Sequence, residues 1–393
     1  MPTTPGPLPA AGHAPPDPLA AVRGRVLLHV KDVRHAPLGH VPAVAGGVVF
    51  SGRKARERAK EFIAGTAHAC PVVLDPSAYE SSYATAEEPF TTEPQHYVDT
   101  RRTGLGATLE QWTAAPADLV LSPTRYLRCD DEGERALAAA VRQMNGTDAP
   151  TVVFAAPVDA AWITERRTYL IAALRSVRAP KALILGARNN PLDSKRRASA
   201  LREVLRSCPD TALLRIDLAA LEAMACGAPF ASVGDTSSVR HAVPPGTEGG
   251  RPGTDSSPHV ILPALMGYFH GSTLAERLRN PRRCLCTPCV EWGEARNNGE
   301  AGRPLSDFQD SSDRKAAHAH NMAVWSRWWR ELASETSPGN ARSRWQGMCR
   351  RALNEYEWHN REISPREDTF GVSAALRYWA GSEDWEPHSS ATR

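Results

Sequence analysis

Residues 151–187, TVVFAAPVDAAWITERRTYLIAALRSVRAPKALILGA, set two short apolar runs on either side of a helical stretch, and that order decides the fold. TVVFAAP and KALILGA do not alternate in polarity, which is the pattern of a strand covered on both faces. Between them RRTYLIAALRSV is amphipathic with helical spacing, so the unit reads as strand, helix and strand, with the two strands parallel.

The same rhythm runs on both sides of this unit. RVLLHV (25–30), GGVVFSG (46–52), PVVLDP (71–76), DLVLSP (118–123), TALLRID (211–217) and PFASVG (229–234) are further strand candidates, and ERALAAAVRQM (134–144) is a further helix. These are eight runs, with HVILPALMGYF (259–269) as a further, last candidate, a count close to eight. It predicts an α/β fold, a (β/α)8 TIM-type barrel, over an open doubly wound sheet. No GxGxxG turn or Walker loop follows any strand, so the usual nucleotide-binding alternatives lack their phosphate cradle.

The flanks divide the 393 residues further. Residues 1–20, rich in Pro, Ala and Gly, cannot bury enough apolar surface to offset ordering and read as a disordered tail. The barrel is expected over 21–280, a helical subdomain over 281–380, and a loose end over 381–393. Residues 242–258, AVPPGTEGGRPGTDSSP, form a polar Gly/Pro loop that reads as a flexible insertion or as a lid. With 41% hydrophobic and 23% charged residues the composition is that of a globular protein. No apolar run is long enough to span a membrane and the start lacks the basic flank and apolar core of a signal peptide, so a cytoplasmic location without a membrane partner is expected. The net charge of +3 leaves the partner open, because local patches decide phosphate binding.

CLCTPC (284–289) places three of the eight cysteines within six residues. Three thiolates make a closed Cys3His zinc site if an imidazole completes them; otherwise they are free thiols. The nearest downstream histidines are His318 and His320, in the helical stretch DRKAAHAHNMAVWSRWWREL. Two residues apart on a helix is about 200° of rotation, so only one of them can face the cysteines.

C-x-C-x2-C followed at a distance by His-Asn on a helix resembles the zinc signature of the tRNA-guanine transglycosylase superfamily, matched here by Cys284, Cys286, Cys289 and His320-Asn321. The gap of thirty residues is a few longer than the family's. This resemblance selects His320 and implies a structural zinc ion in a C-terminal zinc-binding helical subdomain. It extends over about residues 70 to 335, more weakly in the barrel. VVLDPSAYESSY keeps the family's strand-end aspartate as Asp75, without its Ser-Gly-Gly; a strand-end Asp before Pro is also an ordinary turn device. Aligned on Phe230, the nucleophile position falls at Ala231, and the next carboxylate is Asp235, followed by Arg240 and His241. Either Asp235 has taken the role or the covalent step is lost. The family's base-reading residues have no equivalent in LSPTRYL or AAPVD.

The resemblance implies a divergent enzyme exchanging guanine for a 7-deazaguanine base in tRNA, as in queuosine modification, or in DNA, as in the DNA-modifying relatives. Asp235 would attack ribose C1′ and Asp75 would serve as general acid or base, the logic of a retaining glycosidase. Tyr79 and Tyr126 are candidates for stacking on the base or for core packing; Arg240 and His241 are candidate substrate contacts. Arg277, Arg279, Arg282 and Arg283, just before the first cysteine, are candidate phosphate contacts or a solvated basic turn. Trp325, Trp328 and Trp329 form one helix face expected to pack on the barrel or a second subunit, and the family makes a homodimer a reasonable expectation. The other readings are a non-catalytic nucleic-acid-binding or partner subunit, and a hydrolase releasing a base to water.

Overall fold

The computed structural model describes residues 17–65, 70–92, 104–247, 255–278, 282–296, 301–363 and 369–381. Most of the expected tail, Arg279, the centre of the 242–258 loop and the end beyond Gly381 lie outside the described residues.

The barrel is built in order from β1 (Arg25–Val30), β2 (Val48–Ser51), α1 (Ala55–Gly65), β3 (Val72–Asp75), α2 (Leu105–Thr113), β4 (Leu119–Leu121), α3 (Asp131–Asn145), β5 (Val152–Asp159), α4 (Trp162–Glu165), α5 (Arg167–Ser176), β6 (Lys181–Gly186), α6 (Lys195–Ser207), β7 (Thr211–Ile216), α7 (Ala219–Ala225) and β8 (Phe230–Gly234). Each strand is parallel to the next, and β8 pairs with β1 to close the ring, His29 lying opposite Gly234. The chain is a (β/α)8 barrel.

The uniform apolar runs arise because every strand is covered twice. In β1, Leu27 packs in the barrel interior, whereas Val26, Leu28 and Val30 pack under the outer layer. The interior fill of Leu27, Val49, Val73, Val153, Ile184, Leu214 and Phe230 is a packed core, as small barrels require. Leu19 and Val22, in the turns that precede β1, join this interior cluster. The expected tail therefore gives way to packed structure before residue 21.

HVILPALMGYF is not a barrel strand. It folds as a hairpin of β9 (His259–Leu262) and β10 (Gly267–His270), antiparallel and separate from the barrel. The ring already has eight strands without it, and Pro263 followed by Met266 at φ +46° turns the chain back on itself. Next come α8 (Gly271–Arg277), β11 (Arg283–Cys284), α9 (Thr287–Ala295), β12 (Arg303–Pro304), α10 (Arg314–Ala333), α11 (Pro338–Glu362) and α12 (Ala374–Trp379).

Helix α10 takes the place of the barrel's eighth helix. At one end His318 Nδ1 lies 3.1 Å from the carbonyl of His35, beyond the C-terminal end of β1, and at the other Trp329 Nε1 donates to the carbonyl of Gly24, just before β1, at 3.1 Å. α10 thus runs antiparallel to β1, its roughly 16 Å of rise between those residues matching a strand of about 20 Å. Trp325, Trp328 and Trp329 are all buried, so the aromatic face packs within the chain. Replacing Trp329 by Ala should cost about 3–5 kcal/mol of stability, and replacing it by Phe, which removes the hydrogen bond and part of the buried ring, about 1–3 kcal/mol; chemical denaturation measures both.

Candidate functional site

The metal-ligating cluster stands where the loop after the hairpin meets α10. Cys284 lies in β11, Cys286 precedes α9, and Cys289 is in the first turn of α9, whose Pro288 suits a helix start. Their sulfurs and His320 Nδ1 all lie within 4.8 Å of one another. Cys286 Sγ and Cys289 Sγ are each 3.5 Å from His320 Nδ1. A tetrahedral zinc ion with ordinary bond lengths sets a sulfur–nitrogen edge of about 3.6 Å, so this donor set fits a single metal ion.

His320 is oriented by its other ring nitrogen. Nε2 lies 2.9 Å from the carbonyl of Ile261, so it carries the proton and leaves Nδ1 free to ligate. The neighbouring Asn321 accepts from Ile261 N at 2.7 Å and donates to the carbonyl of His259 at 2.8 Å. The His-Asn pair thus docks α10 onto the free edge of β9. His318 points elsewhere, to His35, as the helical rotation between the two histidines requires.

The second polar centre lies at the C-terminal end of the barrel interior, where catalytic residues of such barrels gather. Going up the strands, Leu27 is followed on the inner face by His29, Val49 by Ser51, Val73 by Asp75 and Phe230 by Ser232; all four polar residues are buried. Asp75 is locked in place. Its Oδ1 accepts from Ser77 N at 2.8 Å, and its Oδ2 accepts from Ser77 Oγ at 3.0 Å and from Tyr79 Oη at 2.6 Å. His29 Nε2 lies 3.3 Å from the same Oδ2, close enough for charge–dipole attraction without a well-aligned hydrogen bond. Burial is the largest influence on Asp75 and opposes ionisation, yet His29, Tyr79 and the charge of Arg215 together outweigh it and hold the carboxyl below its usual range. Burial keeps His29 below its ordinary value and so neutral. Its Nε2 facing the carboxylate then bears the proton, and Ser232 Oγ, 3.1 Å from Nδ1, donates to the ring.

Asp235 has the opposite surroundings. It directly follows β8, its N–H donates to the carbonyl of His29 at 3.1 Å, and neither carboxylate oxygen has a hydrogen-bond partner among the described residues. Burial pushes its carboxyl up to about 7, opposed by the nearby backbone N–H of Thr236 and by the charge of Arg240, with the charge of Asp32 adding to the rise. Asp75 and Asp235 share no hydrogen-bond partner. Ala231, at the aligned nucleophile position, packs under the helix layer.

The other sequence candidates also have definite places. Tyr79 and Tyr126 are buried in the interior cluster, Tyr126 donating to Asp159 Oδ2 at 3.2 Å and packing edge-on to Tyr83, so no ring face is open to a base. The Arg240 guanidinium sits 3.5 Å over the ring of Tyr268; His241 beside it is held below its usual value by burial, with the charges of Arg215 and Arg240 adding to the shift. Arg277 donates to Thr369, Arg282 stacks on Trp358, and Arg283 donates to Ala301 and Gly302, so these side chains brace the subdomain internally. A groove of about 1420 Å³ beside the β1 and β8 rim is lined by Lys31, Lys54, Arg58, Arg240 and Arg314 among other residues, carboxylates included.

His29, Arg215 and Ser232 are the polar residues that sequence reasoning passed over. The available signal was a histidine one residue before the end of RVLLHV and an arginine inside LLRID, polar residues set into largely apolar runs.

No family model matches the chain, and no curated protein matches it. Among solved structures a nitroalkane oxidase from Streptomyces ansochromogenes is similar over 78% of this chain and 90% of its own, at 15% identity and a TM-score of 0.28, a likeness too slight to carry any argument.

Two outcomes follow from this geometry. Because the folded pKa of Asp235 lies above the unfolded value, its contribution to stability is present below about pH 4 and is lost as pH rises to about 7. Asp235→Asn removes this dependence, so its stability relative to the native chain should grow across that window and level off above it, by at most about 4 kcal/mol; thermal melts at several pH values read it. Elemental analysis of the purified chain should find one metal equivalent, lost in a Cys284→Ser, Cys289→Ser double variant whose melting temperature falls.

Proposed function

We propose that this chain is a base-exchange enzyme of the guanine transglycosylase type acting on nucleic acid. The observation that carries the reading is a pair of buried carboxylates, Asp75 and Asp235, at the C-terminal ends of β3 and β8 on one rim of a barrel bearing a Cys3His cluster. In this reading the ionised Asp235 attacks ribose C1′ as the glycosidic bond to guanine breaks, and the incoming 7-deazaguanine base resolves the glycosyl ester. Asp75, ionised at rest, takes the proton from the arriving base as that base attacks C1′ and releases it to solvent, from which the departing guanine anion is protonated. The groove beside Asp235 supplies cations to hold the phosphate backbone of a flipped nucleotide. The metal is read as zinc, since three thiolates and one imidazole form a closed set with no open position, and its role is structural.

A non-catalytic nucleic-acid-binding subunit is the second reading. It is favoured by Ala231 at the aligned nucleophile position and by both carboxylates being shut from solvent.

Incorporation of labelled guanine into tRNA or duplex DNA separates the two. The enzyme reading expects incorporation into one of them, abolished in Asp235→Ala; salt-sensitive binding of both without incorporation at high protein concentration favours the subunit. Because the nucleophile must be ionised and its carboxyl is raised to about 7, kcat/KM should climb about tenfold per pH unit below 7 and flatten above it. A profile already flat at pH 5 would move the nucleophile elsewhere.

A further inference from the structure

The interior polar layer contains a side chain that reaches both carboxylate-bearing loops. Arg215 stands at the register slip of β7, between Leu213 and Ile216, with φ at +54°, in the left-handed region that non-glycine residues avoid. Its N–H donates to Ser232 Oγ at 2.8 Å. Its guanidinium crosses the top of the barrel to three acceptors. Nη1 donates to Tyr79 Oη at 2.9 Å, and Nη2 donates to Glu80 Oε1 at 2.6 Å and to the carbonyl of Ser238 at 3.2 Å. Tyr79 and Glu80 belong to the loop after β3, which begins at Asp75. Ser238 belongs to the loop after β8, three residues beyond Asp235.

The arrangement is costly to build. The guanidinium is almost fully buried, its Nε has no hydrogen-bond partner among the described residues, and the backbone beneath it is strained. An apolar side chain on a regular strand would fill the same space without those costs, so stability alone does not account for it. We propose that Arg215 is a positioning residue: it clamps the β3 loop to the β8 loop and, through the Tyr79 hydroxyl, holds the Asp75 carboxylate fixed relative to Asp235. Its catalytic meaning rests on the base-exchange reading above; its structural content does not.

The groups that face Asp75 are His29 from β1, Ser77 and Tyr79 from its own loop, and the charge of Arg215 from β7, while Glu80 pairs with Arg215 and, at 2.7 Å, with Lys31. Removing the phenol or the guanidinium takes away groups that favour the anion, so the Asp75 titration should move to higher pH.

The test uses the full chain labelled with carbon-13 at aspartate carboxyls, the Asp75 signal being assigned by its loss in Asp75→Asn. Tyr79→Phe keeps the ring and deletes the hydroxyl link; Arg215→Lys keeps the charge but cannot reach all three acceptors. Both should move the Asp75 titration upward without any substrate present. Where exchange is measurable, Tyr79→Phe should lower kcat about 10- to 100-fold with a smaller change in KM, and Arg215→Lys should retain more activity than Arg215→Met. An Asp75 titration unmoved in Tyr79→Phe overturns the clamp, whether or not bases are exchanged and whether or not the Arg215 variants fold. A moved titration in a chain that exchanges no base leaves the clamp standing and removes only the enzymatic reading.

Discussion

A ring of eight parallel strands closes only where its last strand meets its first, and that seam must be covered by a helix from later in the chain. Here the helix is α10, held by Trp329 at one end of β1 and by His318 at the other. Everything between β8 and α10 is consequently an excursion that leaves the barrel and returns. The β9–β10 hairpin and the four-donor cluster occupy that excursion, and His320-Asn321 bonds it to the seam helix through the edge of β9. One helix thus serves as barrel wall, as docking strip for the hairpin and as source of the fourth ligand.

The interior obeys a second constraint. A barrel this small is filled by side chains, and polar ones are tolerated only where they satisfy one another. The apolar fill gives way at the C-terminal ends of the strands to His29, Asp75, Arg215 and Ser232. Their surroundings set their charges: His29, the Tyr79 phenol and the Arg215 guanidinium favour the Asp75 anion, and burial holds His29 below its ordinary value. Asp235 sits outside this mutual support, which is why two carboxylates at the ends of nearby strands ionise so differently.

The barrel was legible in the sequence because strands covered on both faces must be apolar throughout, and eight runs of the right length carried that mark. The same uniformity hid the polar layer: with both faces apolar, a run such as RVLLHV does not reveal which parity points inward, so His29 could not be told from a strand-end residue. HVILPALMGYF misled for a related reason, since apolar density alone does not separate a barrel strand from a hairpin packed on one side, although Pro263 marked the break. The metal cluster was legible because its donors are few and closely spaced; helical rotation admitted only one of the two histidines, and the structure turns His320 inward. The partnerless state of Asp235 and the bridging reach of Arg215 had no sequence mark, because they depend on what chains distant in sequence place around them.

The position of the seam helix also sets a timetable. During synthesis all eight strands are complete by Gly234, but Trp329 is still 95 residues away. At roughly 5–20 residues per second this leaves about 5 to 20 s in which β1 and β8 can pair with their outer faces bare. The contact between Gly24 and Trp329 is among the most distant in the chain and its loop-closure entropy is settled last. Nascent chains halted within that interval would therefore present an apolar stripe along the seam, a surface suited to chaperone capture and to aggregation.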